Sequence, residues 1–83
     1  MTDKLVYYLD ITGDVCPMTF VKTKLMIERM TRGQVCEVRL KGVEPLTNVP
    51  RSVEDMGDTV ISLVAEDGQG ADGIHRLRIV KGR

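Results

Sequence analysis

Residues 5–41 read as strand, helix, strand, and that opening triplet limits the fold more than anything else in the chain. Leu5, Tyr7, Leu9 and Ile11 alternate with Val6, Tyr8 and Asp10, the period-two pattern of a strand. Thr12-Gly13-Asp14 is a turn signal. From Pro17 the apolar residues move to helical spacing. Phe20, Thr23, Met26, Ile27 and Met30 fall within about 120° of arc and are assigned to the sheet. The spacing predicts a helix from Pro17 to about Thr31, stopped at Gly33. Val35 to Lys41 returns to alternation, with Cys36, Val38 and Leu40 facing the helix and Glu37, Arg39 and Lys41 turned away. Two strands joined through such a helix form a parallel pair with a right-handed crossover.

The second half is shorter-ranged. Glu44-Pro45 opens one helical turn and Pro50 a second, so a kinked or broken short helix is expected over 45–56, ending at Gly57. Thr59 to Ala65 is a strand rich in β-branched residues. Glu66 to Gly73 carries three glycines and three acids and is expected to be a mobile hairpin loop. Ile74 to Val80 is the last strand, with His75, Leu77 and Ile79 opposite Arg76, Arg78 and Val80. The order β-α-β-α-β-β predicts an α/β (α+β) two-layer sandwich, a four-stranded mixed sheet with two helices on one face. One domain spanning 1–83 is expected, with an aliphatic core and no deep enclosed pocket, because 83 residues with three aromatics build little more.

Twelve basic and twelve acidic residues leave the chain neutral, which argues against nonspecific nucleic-acid binding. Residues 17–42 nonetheless carry an excess of four positive charges, a better match to an acidic protein partner than to a nucleic-acid backbone. No apolar run reaches membrane-spanning length, and Met1-Thr2-Asp3-Lys4 does not start a secretory signal. Two cysteines in such a chain indicate a reducing compartment, hence a cytoplasmic location.

Cys16-Pro17 sits where the turn meets the first helix. With Pro17 as the first helical residue, Cys16 is the N-cap, and its sulfur faces the N–H groups of Met18 and Thr19. Those donors and the positive helix end favour thiolate over thiol, while Asp10 and Asp14 oppose it. Such a thiolate can attack the outer sulfur of a persulfide on a donor protein and pass that sulfur on. Cys36 is mid-strand on the inward face and reads as a small hydrophobe. His75 reads as structural, and one histidine with a buried Cys36 makes a poor zinc set, so neither a metal nor another cofactor is called for. Met18, Val21 and Leu25 form a second apolar stripe beside Cys16, flanked by Lys22. Two readings of it stay open: a wider core, or a docking surface for a partner that must reach the sulfur.

Leu9-Asp10, Gly13, Cys16-Pro17, the helix Phe20-Val21-Lys22-Thr23-Lys24, Gly33, Glu44-Pro45, Val49-Pro50 and Gly57 together resemble the TusA family of small sulfur carriers, which includes the SirA-like proteins. The resemblance implies a two-layer sandwich that accepts persulfide sulfur from a cysteine desulfurase or other sulfurtransferase and relays it to an acceptor protein. It implies a relay protein rather than a stand-alone enzyme, with Cys16 as the sulfur-bearing residue, supported by Asp10, Gly13, Pro17, Met18 and Thr19. Partner contact then falls to Met18, Val21, Lys22 and Leu25. The family's Cys-Pro-x-Pro is here Cys16-Pro17-Met18-Thr19. Thr19 restores an N–H that proline lacks, and this extra donor is expected to stabilise the thiolate. The alternative function is a noncatalytic interaction or regulatory module working through Met18, Val21 and Leu25.

Overall fold

The structure, a computed structural model, describes residues 5–15, 18–66, 68, 70 and 73–82. Its elements are β1 (Leu5–Asp10), α1 (Met18–Arg29), β2 (Val35–Leu40), α2 (Val43–Asp55), β3 (Thr59–Ala65) and β4 (His75–Val80). The strands form a mixed sheet in the order β1-β2-β4-β3. β1 runs parallel to β2, as the strand–helix–strand pattern requires, and pairs Asp10 with Arg39. β2 is antiparallel to β4, and β4 to β3. The predicted α+β architecture is the observed one.

Period two decides which residues enter the core. Cys36, Val38 and Leu40 of β2 and Leu77 and Ile79 of β4 are completely buried, against Ile27, Val49 and Val53 of the two helices. The helices pack on each other, α1 above β1 and β2 and α2 above β3. Each fully buried aliphatic side chain contributes roughly 1.5–3 kcal/mol, and this layer carries most of the fold's stability.

Two expectations change. The segment over 45–56 is neither broken nor short: α2 is one uninterrupted helix from Val43 with Pro50 inside it. Pro45 falls in the first turn, where an N–H has no partner to lose. Burial of Pro45, Val49 and Val53 along one face offsets the roughly 3 kcal/mol that an internal proline costs. The loop after β3 is pinned at its first residue. Glu66 receives Arg39 Nε at 2.7 Å and Arg76 Nε at 3.0 Å. The loop residues 67, 69, 71 and 72 lie outside the described residues, so the expected mobility is not addressed there.

The stripe of α1 that meets the sheet is Thr19, Thr23, Met26 and Ile27, continued by Met30 just past the helix. Phe20 is only half-buried and Thr19 takes the inward place. Thr23 donates its hydroxyl to the Thr19 carbonyl at 2.8 Å, so a buried polar side chain is satisfied within the helix.

Candidate functional site

Cys16 and Pro17 lie outside the described residues, so the site is built from what flanks them. On the N-terminal side, Asp10 ends β1 and closes a turn. Its Oδ1 accepts the Thr12 N–H at 2.9 Å and the Thr12 hydroxyl at 2.7 Å. Its Oδ2 accepts Arg39 Nη1 at 3.1 Å. The Thr12 bonds, aided by Arg39, hold the Asp10 carboxyl below its ordinary pKa. Gly13 is exposed, and a Cβ built on it meets nothing, so this turn does not itself demand glycine.

Asp14 is tied to α1. Lys22 Nζ reaches its two carboxylate oxygens at 2.9 and 3.1 Å. Both acids expected to oppose a thiolate at Cys16 are therefore paired with cations, Asp10 with Arg39 and Asp14 with Lys22. Their repulsion is correspondingly reduced.

The first amides of α1 have a backbone acceptor. Met18 N–H and Thr19 N–H both donate to the Val15 carbonyl, at 2.8 and 3.3 Å. They are engaged in starting the helix, because a carbonyl three or four residues earlier is the regular acceptor for an α-helical N–H. The Cys16 sulfur lies outside the described residues, so donation to it from these amides, and the extra-donor role of Thr19, stand as expectations; the Thr19 side chain is fully buried. The positive end of the twelve-residue α1 adds an electrostatic contribution at this position.

Val15 and Met18, the described neighbours on either side of Cys16-Pro17, are 74% and 44% exposed. Val21 and Leu25 continue an exposed apolar strip down α1, so of the two readings of this stripe the wider core is excluded. A cleft of about 390 Å³ opens between the Thr12–Val15 turn and the Lys41–Pro45 start of α2. The sequence reading missed this second wall. Gly42, with φ of 102°, turns the chain into α2 there and leaves the helix start without a side-chain cap. Gly42 and Glu44-Pro45 mark the entry into α2, but nothing in them says which loop that entry faces.

The other two candidates stay apart from this site. Cys36 is completely buried in β2, and burial, with a contribution from Asp58, pushes its thiol up to about 12, so it is protonated and inert at neutral pH. His75 donates Nδ1–H to the Gly73 carbonyl at 2.9 Å and steadies the start of β4.

The model of the family described as "Sulfurtransferase TusA" matches residues 7–81. A "putative sulfur carrier protein" of Archaeoglobus fulgidus is 46% identical over 55 residues, which cover 66% of this chain and 62% of that protein's length. A protein of the same description from Methanocaldococcus jannaschii is 38% identical over 72 residues, 87% of each chain. The crystal structure of a SirA-like protein from Desulfitobacterium hafniense shares the fold with a TM-score of 0.77 at 22% identity, covering 94% of this chain and all of that one.

Proposed function

This chain belongs to the TusA family, and from that membership we propose that it is a sulfur carrier that takes up and hands on one sulfur atom at Cys16. The observation that carries the proposal is the exposure of Val15 and Met18 on both sides of Cys16-Pro17, at the positive end of α1. Both a donor and an acceptor protein must approach that position.

The Cys16 thiolate attacks the terminal sulfur of a donor Cys–S–SH. The Cys16–sulfur bond forms as the donor's S–S bond breaks, and the donor leaves as a thiolate that takes up a proton. The product is Cys16–S–SH, with no external oxidant or reductant. The reverse geometry serves delivery, when an acceptor thiolate attacks the outer sulfur and Cys16 departs as the thiolate. A helix end that stabilises this anion makes Cys16 a good leaving group. Cys36 takes no part.

The protein donor docks on Met18, Val21, Lys22 and Leu25. Incubation with a cysteine desulfurase and cysteine, followed by intact mass and peptide mapping, tests this. The wild-type chain gains one sulfur on the Cys16 peptide, Cys36→Ser gains it equally, and Cys16→Ser gains none. Val21→Asp and Leu25→Asp load about tenfold more slowly from the protein donor, yet normally from cysteine persulfide. Loading of Cys16→Ser would refute the assignment. Equal partner binding by Cys16→Ser with no loading of the wild type would favour a purely regulatory module.

A further inference from the structure

Sheet order leaves β1 at an edge, with one side of its backbone unpaired among the described residues. An open strand edge is a template for another strand. Beside it runs a groove of about 270 Å³, walled by Tyr7, Tyr8 and Leu9 of β1 and by Lys22, Leu25 and Arg29 of α1. Leu25 and Tyr8 are 53% and 55% exposed there. Among the described residues no acidic side chain lines the groove. The acid of β1, Asp10, is held by Thr12 and Arg39. Glu28 of α1 lies near Lys24. The Arg29 guanidinium has no acidic partner among the described residues, and Lys22 meets only the partly exposed Asp14.

We infer that this groove binds an extended acidic segment of a protein partner, which adds to the sheet as a strand beside β1. Main-chain hydrogen bonds to the β1 edge supply affinity, and alternating side chains supply specificity. Apolar side chains of the segment lie on Leu25, and its carboxylates face Arg29 and Lys22. Lys22 of this groove pairs with Asp14, which stands two residues before Cys16 in the sequence. A segment seated on β1 therefore leads its parent protein to the sulfur; this purpose, though not the binding itself, rests on the sulfur-carrier reading. The opposite edge, β3, exposes Ile61, Leu63 and Val64 with no charged residue, and no feature there selects an acidic partner.

The test uses the full chain, isotopically labelled for amide NMR, and three blocked peptides. One alternates Glu with Val, one alternates Lys with Val, and one is the acidic peptide with alternate prolines that prevent strand pairing. The acidic peptide shifts the amides of Tyr7 to Leu9 and Leu25 to Arg29 and slows exchange along β1. The lysine and proline peptides do not. Arg29→Glu weakens the acidic peptide about threefold to tenfold and lets the lysine peptide bind. Equal binding of all three peptides, shifts at β3 instead, or no shift at β1 overturns the inference. So does a β1 response to protein concentration alone, which would assign the edge to a second copy of this chain. Cysteine persulfide is then added to the same samples. Loading of Cys16 without a β1 response defeats the groove alone, and a β1 response without loading defeats the carrier reading alone.

Discussion

At the scale of single residues, the chemistry depends on which groups around Cys16 are already engaged. Asp10 and Asp14 are neutralised by Arg39 and Lys22, and the Met18 and Thr19 amides by the Val15 carbonyl. Thr19 stands where the family's second proline would, and it supplies an N–H that proline lacks. Thr19→Pro removes an N–H that serves Val15. We propose that this N–H also stabilises the thiolate, so the Cys16 titration midpoint, followed by thiolate absorbance, rises in this variant. Stability falls by about 1 kcal/mol, the worth of one backbone hydrogen bond. An equal or lower midpoint in the proline variant would defeat this proposal. Which carbonyl the first-turn amides meet was not legible in the sequence, because it depends on the geometry of the turn before the helix. The burial of Cys36 was legible, since alternation along Val35 to Lys41 already put it inside.

At the scale of elements, the solvent face of the sheet is a chain of charges. Asp10, Arg39, Glu66, Arg76, Glu37 and Arg78 alternate in sign across β1, β2, β4 and the residue after β3. Hydrogen bonds from Arg39, then Arg76, lower the Glu66 carboxyl from 4.5 to about 2. The folded carboxyl titrates below the unfolded one, so its stabilisation is fully present above pH 4.5 and is lost as the pH falls toward about 2. Glu66→Gln should flatten the fall in stability across that interval, measured by urea unfolding at stepped pH. An unchanged slope would mean that the Arg39 and Arg76 pairs contribute nothing in solution. Alternation told which of these residues face water but not who pairs with whom, because pairing needs the register Asp10 to Arg39 and the return of Glu66 over β4. The same limit explains α2. Two prolines break a helix read locally, whereas burial of Val49 and Val53 against the sheet keeps it whole.

At the scale of the molecule, sheet order separates the two kinds of surface. β1 and α1 gather the Thr12–Val15 turn, the apolar strip and the basic groove at one side, while β3 closes the other. The strand–helix–strand opening made this asymmetry readable, since it puts β1 beside β2 and the helix start next to the end of β1. The second wall of the cleft, at Lys41 to Pro45, was not readable, because its position follows from the fold rather than from its own residues. Among the described residues no helix is long and apolar enough to cross a membrane. The most direct test of the account is one turnover of radiolabelled cysteine by a desulfurase in the presence of the unmodified chain. One equivalent of labelled sulfur on the Cys16 peptide, released by a thiol reductant, is the predicted result. Label on Cys36, label that resists reductant, or no label would contradict it.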